Sequence, residues 1–234
     1  MVIRILNLYA GIGGNAKNWH AIAEKYNQEI EITHVEINEE LCYELSILFP
    51  DDYILRCDAH NYLQELVETD LVNTFDIIWS SPPCQTHSRL NRINKKMYHK
   101  HKYVDPSLMQ QIILLKYNYE GVYFVENVHP YYGNFFDGVQ IGRHSIWSNI
   151  DVSNLNWRTN KKLFSMSLQE LQREYGIKLT KNIYLNYPYS KNPKQVYRNA
   201  VHPKLGELLL NRYFGRSRQT SLIESVKEIG GVCN

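Results

Sequence analysis

Through the first half of the chain, apolar runs of strand length alternate with longer stretches of helical period. Ile3–Leu8 is a β-rich run that ends at Gly11-Ile12-Gly13-Gly14. Asn15–Tyr26 follows, with Ala16, Trp19, Ala23 and Tyr26 recurring on one side of a helix. Ile30–Glu36 predicts a second strand, and Asn38–Leu48 a helix with Asn38 as N-cap and Pro50 past its end. Tyr53–Arg56 predicts a short third strand and His60–Val67 a helix. Phe75–Ser80 is a continuous apolar run of the kind found in parallel strands covered on both faces. Pro106–Tyr119 opens with Pro in its first turn and leads into a strand at Gly121–Glu126. The expected fold is α/β, a doubly wound and mostly parallel sheet. Beyond Asn127 the alternation stops, and 128–166 reads as loops and short strands. Helices are expected again at Ser167–Tyr175 and Lys204–Phe214, with a polar, poorly ordered tail from Gly215.

The chain has 234 residues, 44% hydrophobic and 12% aromatic with eighteen tyrosines, which excludes a disordered chain and suits one well-buried core. No apolar run approaches the roughly 18 residues of a membrane helix. The first residues enter a strand pattern without signal-peptide order, so a cytoplasmic protein is expected. Cys42, Cys57, Cys84 and Cys233 show no CxxC pairing, and neither a metal site nor a disulfide framework is expected. Net charge is +2, yet Thr86–Val104 holds Arg89, Arg92, Lys95, Lys96, Lys100 and Lys102 and no acid, leaving the remainder at −4. A local cationic loop on a neutral body is either a solvated loop or the place where a polyanion is met.

Three constellations carry candidate chemistry. The first turn, Leu8 to Gly14, sits between a strand and a helix, where glycines admit a ligand to the backbone and free N–H groups favour an anion. Glu36 ends the second strand 22 residues after Gly14, the place of an acid that accepts from ribose hydroxyls, and Asp58 follows the third strand. Singly these are an ordinary turn and ordinary helix caps; in this order they favour a nucleoside-containing cofactor. G-x-G-G in place of G-x-G-x-x-G speaks against NAD, and a cofactor ending in an amino-acid carboxylate fits the turn as well. Next, Ser80-Ser81-Pro82-Pro83-Cys84-Gln85 stands at the carboxyl end of the apolar fourth strand. Two prolines there fix the orientation of a cysteine, and the nearby cations favour its thiolate. Glu126 ends the following strand, in Phe124-Val125-Glu126-Asn127-Val128. Adjacent parallel strands lie about 4.8 Å apart, so thiol and acid can share one cleft as nucleophile and proton donor; the alternative is a structural acid capping the following turn.

These motifs, in this order, resemble the DNA (cytosine-5-)-methyltransferases. Asn7-Leu-Tyr-Ala-Gly-Ile-Gly-Gly14 resembles their cofactor turn, Ser81-Pro-Pro-Cys-Gln85 their nucleophile motif, and Glu126-Asn-Val128 their third signature. Asn199-Ala-Val-His-Pro203 resembles the closing motif that returns to the cofactor site. The resemblance covers most of residues 3–147 and 195–214 and implies a Rossmann-like methyltransferase fold with S-adenosylmethionine as cofactor. It implies that Cys84 attacks C6 of a flipped-out cytosine in double-stranded DNA. Glu126 then bonds N3 and the exocyclic amine, and Arg143, or His144 in its place, sits on the O2 side. Cofactor contacts fall on Tyr9, Ala10, Gly11, Ile12, Gly14, Glu36, Ile37, Asp58, Ala59, Pro83, Asn199 and Ala200. Nucleic-acid contacts fall on Gln85, Ser88, Arg89, Arg92, Lys95 and Lys96, in a flexible loop that closes over the base.

The departures are specific. Gln140-Ile-Gly-Arg-His144 keeps one arginine of a usual Gln-x-Arg-x-Arg, and Arg198 stands where the closing motif usually has Gly. The resemblance divides the chain into a catalytic domain 1–147, a reduced target-recognition region 148–194, a returning segment 195–215 and a tail 216–234. Between Trp147 and the helix at Ser167 lie 19 residues, Arg158, Lys161 and Lys162 among them. This is the pattern of a minimal phage-like or orphan enzyme. Its specificity is expected to be short or relaxed, or supplied by 86–104 and 128–138, by a protein partner or by self-association. The rival expectations are RNA cytosine methylation, whose usual Cys-Phe-Thr is absent from the sequence, and a binding scaffold without turnover.

Overall fold

The structure, a computed structural model, describes residues 2–98, 102–157, 163, 165–183 and 192–230; for 94–98 and 217–230 it describes the backbone alone. One seven-stranded sheet has the order β3-β2-β1-β4-β5-β7-β6. Its strands are β1 Ile3–Leu8, β2 Ile30–Glu36, β3 Tyr53–Arg56, β4 Ile77–Ser80, β5 Val122–Val128, β6 Val139–Ile141 and β7 His144–Ser148. The first five are parallel, whereas β7 runs antiparallel to both β5 and β6. The doubly wound fold read from the sequence is therefore observed.

Alternate residues of the same strands explain the unbroken apolar runs. Ile5, Ile77, Trp79 and Phe124 face one layer with α1 (Trp19–Lys25) and α8 (Pro203–Gly230). Leu6, Leu8, Ile78, Tyr123 and Val125 face the other with α3 (Ala59–Glu68) and α5 (Ser107–Asn118). A strand buried on both faces has no polar side to show. A third cluster joins Ile12 of the first turn and Leu41 of α2 (Glu39–Leu48) to Leu171, Tyr175, Val196 and Tyr197 of α6 (Leu168–Tyr175) and α7 (Lys194–Asn199).

The cap read from the sequence at Asn38 is observed, and a second is found at Ser167. Asn38 accepts from Leu41 N, and Ser167 with Glu170 forms a reciprocal capping box. Four elements differ from expectation. The first helix starts at Trp19, not Asn15, because Asn15 donates to Asn7 Oδ1 at 2.8 Å and the chain from Gly13 to Trp19 winds in successive turns. Within the expected loop 86–104 lies a helix, α4, Arg89–Tyr98. A short helix, α7, precedes the closing motif. Lastly, α8 continues to Gly230 where a poorly ordered tail was expected; its sequence contains no proline after Pro203 to stop it. Among the described residues no helix is long and apolar enough to cross a membrane, and no cluster of His, Cys, Asp or Glu suits a metal ion.

Candidate active site

The strand order reverses between β1 and β4, so the connections leaving them diverge and open a crevice beyond their carboxyl ends. The turn after β1 forms one wall of a cleft of about 440 Å³. The Ser81–Gln85 segment after β4 forms another, and Glu126, Val128, Arg143 and His144 form the back. Asn199, Ala200 and Val201 of the closing motif complete it.

The first turn is held by a network that its glycines do not explain. Asn7, on the fully buried end of β1, exchanges hydrogen bonds with Asn15 and lies 2.9 Å from His34 Nδ1. His34 in turn bonds Asp52 at 3.0 Å, and Asp52 bonds His20 at 2.6 Å. Tyr9 has a φ of 59°, strained for an aromatic residue. Its hydroxyl accepts from the buried Gln111 of α5, which also receives the Ser80 hydroxyl; burial raises the Tyr9 pKa. Gly11 N donates to Glu36 Oε2 and Asn38 N to Glu36 Oε1, each at 2.9 Å. Glu36 is thus fixed at the mouth of the turn, with a further lone pair on each oxygen for a hydroxyl donor.

Asn127 donates to Pro82 O at 2.9 Å, locking the Pro-Pro-Cys segment onto β5. Cys84 O then receives both His87 N and Ser88 N. The residue keeps some surface, but its thiol is deep enough that desolvation, followed by the Glu126 carboxylate, pushes it up to about 11. Among the described residues, the cation opposing this is Arg143. At neutral pH the Cys84 sulfur therefore rests as a thiol. Cys42 and Cys57 are partly buried.

Glu126 and His144 are 6% and 4% exposed, and their Oε1 and Nδ1 lie 2.5 Å apart. Arg143 Nε donates to His144 Nε2 at 3.4 Å, which makes Nε2 the acceptor and leaves the ring proton on Nδ1, donated to Glu126. One carboxylate oxygen is thereby held and the other left for a ligand. On its far side the His144 ring meets Trp157, which meets His202 of the closing motif.

Of the residues read from the sequence, the cleft brings together Tyr9, Ala10, Gly11, Ile12, Glu36, Ile37, Pro83, Cys84, Gln85, Glu126, Arg143, Asn199 and Ala200. Gly14, Asp58 and Ala59 are not among its lining. Gly14 instead faces Val201, whose carbonyl oxygen lies 2.3 Å from where a Cβ would stand. Asp58 caps α3 through His60 N and Asn61 N, and Ala59 is buried in the second core layer. Ser88 lies outside the cleft, while Arg89 and Arg92 line a separate concavity with Ile93 and Tyr131. The side chains of Lys95 and Lys96, and Lys100, Arg158, Lys161, Lys162 and Cys233 altogether, lie outside the described residues. Sequence reasoning missed Gln111, the roles of Asn7 and Asn127, and Asn91; the two motif asparagines carried a signal, the other two none.

No known family profile matches the chain, and no curated protein does. Among solved structures, it is similar to an E. coli prophage protein provisionally assigned as a DNA modification methyltransferase, at 19% identity and a TM-score of 0.34. That match covers 54% of this chain and 32% of the other, so the chain spans about a third of that protein's length. It is also similar to the hypothetical protein TTHA0928 of Thermus thermophilus (16%, TM-score 0.39, covering 62% and 73%). SMU.776, provisionally a methyltransferase and complexed with SAH, matches at 11% and 0.38, covering 62% and 44%. At these values the likeness says nothing of chemistry.

Proposed function

We propose that this protein is an S-adenosylmethionine-dependent DNA (cytosine-5-)-methyltransferase. The observation that carries the reading is one cleft holding a proline-fixed thiol, Cys84, beside a buried carboxyl, Glu126, itself held by a histidine and opposite a glycine turn with an anchored acid.

The cleft's lining fits the cofactor. Glu36 offers acceptors for ribose hydroxyls, Ile12, Leu41 and the 62%-exposed Ile37 offer apolar cover for a purine, and Asn199 is a polar neighbour across the turn. When bound, S-adenosylmethionine supplies an electrophilic methyl group. The chain's own residues do the rest. Cys84 gives its proton to the Glu126 carboxylate and forms an S–C6 bond with an extruded cytosine, while Glu126 passes that proton to N3. The electron pair of the C5–C6 double bond is then available at C5 for the methyl group. Loss of the C5 proton to a base and breakage of S–C6 restore the C5–C6 double bond, and the N3 proton returns through Glu126 to the sulfur. His144 keeps the Glu126 carboxyl oriented at the base, and Arg143 opposes charge near the sulfur.

Incubation with methyl-labelled S-adenosylmethionine and mixed-sequence duplex DNA, followed by digestion to nucleosides, tests this. Label in 5-methyldeoxycytidine is expected. Label at an exocyclic nitrogen, label in RNA in place of DNA, or cofactor binding without transfer contradicts the reading.

A further inference from the structure

A second concavity lies apart from the cleft, about 430 Å³ in volume and lined by Arg89, Arg92, Ile93 and Tyr131. We propose that it receives a base displaced from the DNA strand beside the target cytosine, stacked on Tyr131 with the two guanidinium groups on its flanking phosphates. This rests on the DNA-methyltransferase reading and names where that enzyme grips its substrate outside the reacting base.

Both walls are built, and both are tied to the nucleophile segment. On one side, α4 begins five residues after Cys84. The buried Asn91 donates to Thr86 O at 3.0 Å and Lys102 O at 2.8 Å and accepts from Lys102 N at 2.9 Å. Asp105 N donates to the Thr86 hydroxyl, so the segment is closed at its base and α4 is held out as a unit. On the other side, Tyr131 N donates to His87 O at 3.1 Å, and the Tyr131 ring stands edge-on to Tyr132, whose hydroxyl pairs with His87 Nδ1 at 2.7 Å. His87 N in turn donates to Cys84 O.

The lining selects the occupant. Arg89 and Arg92 are exposed in a segment without a single acid, which calls for an anion. Leu90 and Ile93 are 59% and 46% exposed on the same helix, although an isolated cationic face has no use for them. Phosphate beside a flat apolar face is the chemistry of a nucleotide, and Tyr with Arg is the pairing on which unstacked bases rest. An acidic peptide would satisfy the arginines and leave the tyrosine and isoleucine idle.

The test is equilibrium binding of the full chain to a dye-labelled, mixed-sequence single-stranded 30-mer, whose bases are already unstacked, with methyl transfer measured in parallel. Tyr131→Ala is expected to weaken binding by about five- to 150-fold and Tyr131→Phe to restore it, since stacking needs the ring and not the hydroxyl. Arg92→Ala is expected to lower the slope of log affinity against log salt by about one, with the urea midpoint unchanged in all three. Binding of Tyr131→Ala within twofold of the parent overturns the proposal, as does no binding by the parent or equal competition by polyglutamate. If transfer fails while Tyr131-dependent binding persists, the catalytic reading falls and the concavity stands. If transfer succeeds and Tyr131→Ala binds normally, the concavity alone falls.

Discussion

Gly14→Ala tests how the cofactor turn is braced. A Cβ there would lie 2.3 Å from Val201 O, so ordinary contact near 3.4 Å requires about 1.1 Å of movement. The opposing atom is backbone, and no side-chain rotation relieves it. Across the same seam, a Cβ at Gly206 of α8 would lie 1.9 Å from Asn15 O and needs about 1.5 Å. Each substitution should cost about 2–3 kcal/mol as overpacking. Because Asn199, Ala200 and Val201 line the cleft, a shift of that size should also lower kcat/KM for the cofactor by roughly ten- to a hundredfold. One displacement of α8 and the closing motif relieves both clashes, so the double variant should be less destabilised than the sum by at least about 1 kcal/mol. Urea melts give the three stabilities, and calorimetric titration with S-adenosylhomocysteine gives the affinities. Additive losses would show that the two glycines do not share one seam. A Gly14→Ala protein with unaltered midpoint and affinity would refute the reasoning altogether.

Other outcomes follow from the site and the buried network. His144→Leu removes the donor to a buried Glu126 and should lower kcat by about 10- to 100-fold, whereas His144→Asn, whose amide can stand where Nδ1–H does, should recover most of it; equal rates for the two variants would contradict the positioning role. Since burial and Glu126 push the Cys84 thiol up to about 11, its alkylation by iodoacetamide in the free protein should still be climbing at pH 10, and a plateau near pH 8.5 would contradict this. The same raised value contributes stability that is fully present below about pH 8.5 and lost as pH rises through about 11. Asp52 hydrogen-bonds His20 and holds its pKa up; against burial, His20 and then His34 hold Asp52 low. The His20 share is present below about pH 6.5 and lost above its raised value, and the Asp52 share is present above about pH 3.9 and lost below its lowered one. His20→Gln should therefore cost most between those limits, about 0.5–1 kcal/mol at a half-exposed histidine, and a larger loss at pH 8.5 than at pH 5.5 would refute it.

What was legible in the chain was what repeats or what chemistry demands in one place. Apolar runs of strand length alternating with stretches of period 3.6 placed β1 to β5, and the cap Asn38 marked a helix start because a side-chain oxygen three residues ahead of a free N–H is a local device. Cys84 and Glu126 were readable because strand ends on adjacent strands share an edge. Non-local bonds escaped it. Gln111 sits mid-helix with nothing around it to mark it, yet it joins Tyr9 to Ser80 across the sheet. Asn91 looked like one more polar residue in a basic loop, although its three bonds close that loop around a helix. Gly14 was read as room for a ligand and proves to be room for Val201. The thiol environment was misread for the same reason: among the described residues the charges acting on it are Glu126 on β5 and Arg143 in the turn between β6 and β7.

The most direct test of the central claim is to trap the covalent step. Duplex DNA carrying 5-fluorocytosine lacks the C5 proton whose loss releases the cysteine, so a working enzyme supplied with S-adenosylmethionine should stay bonded to it. An adduct that survives denaturation, digests to a Cys84 peptide bearing a methylated fluorocytosine, and is absent from Cys84→Ala is the predicted result. Binding of both cofactor and DNA with no such adduct across varied sequences, or an adduct that persists in Cys84→Ala, would contradict it.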